Sequence, residues 1–563
     1  MLRCWGLAVL GIFACASAPA WGQSSNYNKD AVKALSKKID AHLAKVWQKA
    51  KVTPAPKAAD HVFFRRLNLD LVGRIPDLSP VTDFMDDGFL DDPLAGSLYT
   101  VGGLIATEKR WVWVDRLLDS PEHAKHFSHV WRAIMLGYQT NNQFQFQVPS
   151  FEIWLNDRVR SNLPLDKTVY QLLTSQQNVG DPRFGGFQPA MQGQGSPAVF
   201  FQANENKAEN LAAATSRVFL GVKIECAQCH QHPFAKWKQD QFWEFAAFYS
   251  TPQNQIRRPN QPGQPQNFTP GREIPIPGTD KIAKAKFLTG KEPAWDGAKN
   301  SRVTLAEWVT SPDNPYFARA MADHLWSHLM GVSLLEPIME PSDDIPMTLP
   351  QLLDDLAKAL IDNNFDAKFL IRAIVHTDAY QRSSGGAKLA DKEDYHLFVR
   401  MPIRALTPEQ IYDSVVVATT APISDKRKEL MQPGNPNQFF NPNQLQSPRQ
   451  QFLQKFTNQD RRHEPQTSIL QALFMMNGGF MAERTNAKKN EDLQVLSNPD
   501  IEGGHESRIR SMYRMVLSRP PREDEIQRLA PYLERGGATG NLRDAVSDIF
   551  WALLNSSEFL HNH

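Results

Sequence analysis

The sequence predicts a mostly α-helical protein, with two helical domains joined by a Pro/Gln/Asn-rich linker. Three observations carry that expectation. Apolar residues recur at helical spacing along most of the chain, and no strong run of alternating strand residues or tandem repeat interrupts them. Proline is plentiful at 39 and glycine low at 31, which fits helices joined by stiff loops. Residues 251–275 are so rich in Pro, Gln and Asn that they can bury little, so they read as a linker or long surface loop.

Taken in order, the first 22 residues have the features of a secretory leader. A short basic start (Met1-Leu2-Arg3) precedes an apolar run from Leu7 to Ala14, and small residues near Ala20 and Gly22 offer a cleavage site before Gln23. A lipoprotein alternative through Cys15 is the lesser reading, because Phe13 is bulky where a small residue is usual. No later stretch approaches the ~18 apolar residues of a membrane helix. The expected location is therefore outside the cytoplasm, periplasmic or extracellular.

Residues 28–50 form an amphipathic pattern through Val32, Leu35, Ile39, Leu43 and Val46. Phe63 to Leu71 is another apolar run, stopped by Gly73 and Pro76. Ser120-Pro121 reads as an N-cap with a first-turn proline, opening a helix with His123, His126, His129 and Trp131. A helix through Leu211, Thr215, Val218, Phe219 and Val222 is expected to run straight into Cys226, and another follows through Phe242, Phe245, Ala246 and Tyr249. Beyond the linker, Thr304 and Glu307 suggest a capping box before Trp308. Leu352 to Ile361 keep helical period, and Thr407-Pro408-Glu409-Gln410 gives a cap, a first-turn proline and a capping glutamine. Residues 431–450 form a second polar excursion. The expected division is 1–22 leader, 23–255 first domain, 256–300 linker or long loop, and 301–563 second domain.

Charge excludes one class of partner. The chain has 62 basic and 61 acidic residues, a balance that argues against nucleic acid. Chemistry concentrates instead at Cys226-Ala227-Gln228-Cys229-His230. C-x-x-C-H is the attachment sequence for c-type haem, with two thioethers from the cysteines and His230 as proximal iron ligand. Cys4 and Cys15 lie in the leader, so a processed chain keeps only these two cysteines. Such attachment takes place outside the cytoplasm, so leader and motif support each other. Zinc or another metal held by Cys226, Cys229, His230 and His232 is a second reading, though neighbouring Cys229 and His230 rarely share one metal. A structural disulfide or free thiols is the third.

The remaining candidates carry less. His126, His129, Met135 and Met191 are possible ligands opposite His230. His232 packs or meets a haem propionate. The aromatic run Trp237, Phe242, Trp243, Phe245, Phe248 and Tyr249 suits a haem wall and an ordinary core equally. His324 and His328, four apart beside Asp323, have metal-ligand spacing without the glutamate of H-E-x-x-H. Asp343-Asp344 and Asp354-Asp355 are adjacent carboxylates that point apart on a helix. Gly478-Gly479 reads as a helix stop, and no G-x-S-x-G nucleophile elbow occurs.

Five segments in order add a resemblance: Phe63–Asp77 (FFRRLNLDLVGRIPD), Glu225–Ser250 (ECAQCHQHPFAKWKQDQFWEFAAFYS), Phe317–Asp344, Leu352–Ser384 and Ile509–Glu525. On these the chain resembles the planctomycete-type secreted cytochrome-like proteins. Those pair a cytochrome-c-like N-terminal domain with a companion C-terminal domain, both of uncharacterised function. The resemblance implies one covalent haem c, a redox-partner protein, and electron transfer or haem-based redox chemistry. Two departures stand out. Gln231 occupies the place between the two histidines where members often have Asp, and no further cytochrome or carbohydrate-binding module is present. A metal-stabilised scaffold and an extracellular polymer hydrolase or its accessory are the alternative functions.

Overall fold

The computed structural model describes residues 27–85, 105–137, 147–175, 195–229, 237–251, 269–297, 299–335, 349–386, 395–420, 448–456, 469–500 and 503–563. The expected leader, Met191, His230, His232, Asp343, Asp344 and most of the 431–450 stretch lie outside them. The described chain is mostly α, as expected, and its β structure consists of short antiparallel pairs.

In chain order the helices are α1 (Lys29–Ala50), α2 (Asp60–Val72), α3 (Leu78–Met85), α4 (Ile105–Leu118), α5 (Pro121–Leu136), α6 (Val148–Arg160), α7 (Leu165–Thr174), α8 (Val199–Ala203) and α9 (Ala208–Leu220). A 3₁₀ turn (Glu225–Gln228) and α10 (Gln239–Ala246) follow, then the hairpin of β1 (Glu273–Pro275) and β2 (Ile282–Lys284). Next come α11 (Ser301–Val309), α12 (Phe317–Met330), α13 (Pro350–Asp362), α14 (Ala367–Val375) and β3 (Arg404–Ala405). The rest is α15 (Pro408–Thr419), α16 (Pro448–Phe456), α17 (Ile469–Asn477), α18 (Gly479–Thr485), α19 (Glu491–Leu496), α20 (Gly504–Leu517), α21 (Glu523–Glu534), α22 (Leu542–Leu554), α23 (Ser557–Leu560) and β4 (His561–Asn562), which pairs back on β3.

Local chemistry fixes many of these ends. Asn28 caps α1, its side-chain oxygen accepting from the amides of Asp30 and Ala31. Ser120 Oγ accepts from His123 N at 3.2 Å and starts α5. Thr407 and Gln410 close the expected capping box at α15, with reciprocal bonds of 3.3 and 3.0 Å. Two expectations move. The cap of α11 is Asn300, whose side chain accepts from Val303 N at 2.9 Å, so Thr304 lies inside the helix. Helix α9 does not run into Cys226. It stops at Leu220 because Gly221 takes a left-handed φ of 64°, where any Cβ would strike Leu335.

Side chains pack in two cores. The first runs from Val32 to Met401 and takes in α1, α2 and the helices through α14. Within it, Ile274 and Ala283 of the hairpin are buried beside α10. The second runs from Leu406 to Phe559 and also receives Leu69 and Ile75. Helix α2 is therefore buried on all sides from Phe63 to Val72. Phe63, Phe64, Leu67 and Leu71 enter the first core while Leu69 enters the second.

Candidate functional site

The two cysteines of C-x-x-C-H sit at the surface, Cys226 on the 3₁₀ turn that follows α9 and Cys229 just after it. In 3₁₀ geometry side chains three apart eclipse one another. Cys226 and Cys229 share that spacing, and both are free and exposed. Ala227, between them, is fully buried, and Ile224 before the turn is buried too. The turn is thus tethered inward by Ile224 and Ala227 and leaves both thiols exposed.

Its carbonyls are held by α10. Trp243 Nε1 donates to Gln228 O at 3.1 Å. Gln239 Nε2 donates to Gln228 O at 3.3 Å and to Cys229 O at 3.2 Å. At the other end Arg217 of α9 pairs with Glu225 at 2.9 Å. His230, the expected proximal ligand, lies outside the described residues.

The donor set fits covalent haem in one respect: both thiols are unbonded and exposed. The aromatic rings that follow pack inward. Phe242, Trp243, Phe245 and Phe248 are buried, and their rings meet core partners. Phe245 lies against Trp308, and Phe248 stacks on Phe287 with centroids 5.3 Å apart. Tyr249 hydrogen-bonds Thr215 at 2.7 Å. Of the two readings of this run, the packed core describes the rings.

The other sequence candidates occupy the interior. His123 Nδ1 lies 2.8 Å from Leu71 O, and because a carbonyl only accepts, that nitrogen carries the proton. Burial drives this imidazole down from 6.5 to about 3, so it stays neutral. His126 is held well below its ordinary value by burial, with its Nε2 shut off from water and unpartnered. Its ring lies against Gly73, where a Cβ would come within 2.3 Å of Nδ1. His129 approaches Glu152 at 3.5 Å, and burial lowers it too. Met135 is buried beside a cavity of about 30 Å³, room for a water or two, walled by Phe127, Trp131 and Val159.

His324 and His328 do not converge on a metal. Their Nε2 atoms meet the carbonyls of Val218 and Asp70 at 2.8 and 2.9 Å. Asp323 instead accepts from the amides of Leu334 and Leu335, at 2.6 and 3.1 Å, fixing the turn after α12. Among the described residues no group of three or more His, Cys, Asp or Glu is placed to hold a metal ion. Asp354 pairs with Arg319 at 2.6 Å and Asp355 with Lys38 at 2.7 Å, so these adjacent carboxylates have separate surface partners.

Sequence reasoning missed the ionic contacts between the cores. On α2, Arg65 donates to Val516 O and Phe559 O at 3.1 and 2.9 Å. Arg66 donates to Tyr380 O at 2.5 Å. Burial pushes both guanidiniums down to about 10. Asp70, 2% exposed, accepts from Arg404, Tyr380 and Asn562, each at 2.8 Å. Nearby, Arg132 of α5 bridges Glu152 and Glu409 at 3.0 Å each, and Arg449 holds Asp413 at 3.2 Å. Burial alone raises the Asp413 carboxyl, but Arg449 and Lys125 outweigh it and hold it at about 2.

The described structure is thus a mostly helical protein with two cores and a surface dithiol turn, and none of its described helices is long and apolar enough to cross a membrane. Comparison with protein families adds two matches in the same chain order. Residues 38–254 match PSCyt2, a protein of unknown function (DUF1549), and residues 301–533 match PSD1, a protein of unknown function (DUF1553). No curated protein and no solved structure matches the chain.

Proposed function

We propose that the protein is exported, carries one covalent c-type haem on Cys226 and Cys229 with His230 as proximal ligand, and works in electron transfer or haem-based redox chemistry with a partner protein. The observation that supports this best is the turn itself. Two free thiols three residues apart are both exposed, as attachment to two vinyl groups of one macrocycle requires. When bound, such a group supplies one-electron chemistry tuned by its ligands and surroundings. The chain's own part is to hold the thiols, to offer His230, and to leave an outward face for a partner. His126, His129 and Met135 are committed to the interior of the first core, so their role as opposite ligand has no support in the packing.

The test is expression in a host competent for cytochrome c maturation. A Soret band, and haem staining that survives denaturation, are expected for the full chain and lost in Cys226→Ala/Cys229→Ala. A chain without covalent haem under those conditions overturns the reading. Stoichiometric zinc in its place would replace haem by a metal-stabilised scaffold.

A further inference from the structure

We propose that Trp243 and Gln239 are positioning residues for the two thioether bonds, with α10 acting as a template that fixes the motif before anything is attached. The proposal rests on the haem reading above and goes beyond it, to what makes both thiols usable.

A four-residue 3₁₀ turn is a weak element by itself. Ala227 N donates to Ile224 O at 2.9 Å, tying the turn to the residue before it. The carbonyls at the far end of a helical turn need partners from elsewhere. Here α10 supplies them, with side-chain donors converging on the consecutive carbonyls of Gln228 and Cys229. Helix α10 is itself well anchored. Phe242 and Phe245 are buried, Lys238 N donates to Gln241 Oε1 at 2.9 Å, and Lys286 ties Glu244 to the strand region at 2.9 Å.

Each attachment is an addition of a cysteine S–H across a vinyl C=C. An S–C and a C–H bond form as the S–H and the π bond break, so no oxidant or reductant is consumed. Geometry is then the requirement, because two thiols must reach two fixed vinyl positions.

The supports divide unequally between the thiols. Cys226 lies between the Arg217–Glu225 pair and buried Ala227. Cys229 follows the last residue of the turn and depends on the α10 donors at its own carbonyl and the one before it. Losing the donors should therefore loosen Cys229 more than Cys226.

The experiment uses the full chain with Trp243→Phe, which keeps an aromatic ring and removes the donor, and Gln239→Ala at a partly exposed site. The expected double variant retains the Cys226 thioether and loses much of the Cys229 one. The unreacted vinyl stays conjugated, so the haemochrome α-band moves to the red, and peptide mapping finds Cys229 unmodified. Gln239→Ala alone should show part of the effect with the fold unchanged. In unloaded protein, amide exchange across residues 224–229 should rise about tenfold in the double variant, while exchange in α9 stays as in the parent. Wild-type loading through both cysteines in the double variant overturns the proposal, and so does unchanged amide exchange. A parent chain that takes up no haem removes the reading beneath it. The exchange experiment, which needs no haem, tells that failure apart from failure of the α10 contacts.

Discussion

The segments 63–77 and 225–250 place similar chemical resources in opposite settings. In the first, Arg65, Arg66 and Asp70 are buried where the two cores meet, and their hydrogen bonds go to carbonyls and side chains of distant segments. In the second, two thiols stand at the surface on a short turn, while Ala227 between them and the aromatic rings of α10 that follow are buried. Charged and reactive side chains therefore have opposite uses here. Where the chain buries charged groups against one another, as around Asp70, it builds an attachment between cores. Where it holds the backbone and leaves the side chains free, as at Cys226 and Cys229, it leaves two thiols accessible to solvent.

Substitutions should separate these roles. The largest effect is expected at α2. Asp70→Ala leaves Arg404 and its neighbours without their shared carboxylate, at a cost of about 3–5 kcal/mol, typical of breaking one side of a buried ion pair. Chemical denaturation measures it, and a loss under ~1 kcal/mol would mean the cluster is not under tension with solvent.

Acid comes next. The His123 imidazole is depressed in the folded state from 6.5 to about 3. Between those values the unfolded chain binds a proton that the folded one refuses, so stability is full above pH 6.5 and falls as pH drops toward 3. His376, lowered to about 3 by burial, acts in the same direction. Lys368, Arg372 and His328 face His123 and reinforce the penalty of charging it. His123→Gln should flatten the pH dependence over that window in denaturation midpoints, and an unchanged slope would assign the acid sensitivity elsewhere. The smallest effect is expected at the motif. Cys226→Ala/Cys229→Ala in unloaded protein should shift stability by less than ~0.5 kcal/mol, since both side chains face solvent.

What could be read from the sequence followed range. Caps at Ser120 and Thr407 are local, and both stand where composition placed them. The start of α11 moved to Asn300 because two side chains offered competing caps within one turn. The end of α9 depended on Gly221, whose left-handed conformation is favoured by the close approach of Leu335. The dithiol turn was legible as a motif, through C-x-x-C-H, but not as geometry, since its supporting donors lie on the next helix. The contacts between the cores were not legible at all. Arg65, Arg66 and Asp70 look like a solvated helix face when their partners are hundreds of residues away.

That separation bears on how the molecule is made. Phe559 O, which receives Arg65, is 494 residues further along the chain, and Asn562, which meets Asp70, is 492. During synthesis Arg66 and Asp70 can meet Tyr380 and Arg404 first, but Arg65 lacks Phe559 O and Asp70 lacks Asn562 until the segment that forms β4 exists to pair with β3. Early segments can collapse on their own apolar helices, but the seam between the cores is complete only once residues 559–562 are in place. A nearly finished chain should therefore resemble an open intermediate, sensitive to proteases and dependent on holding factors, and it should become resistant in one late step.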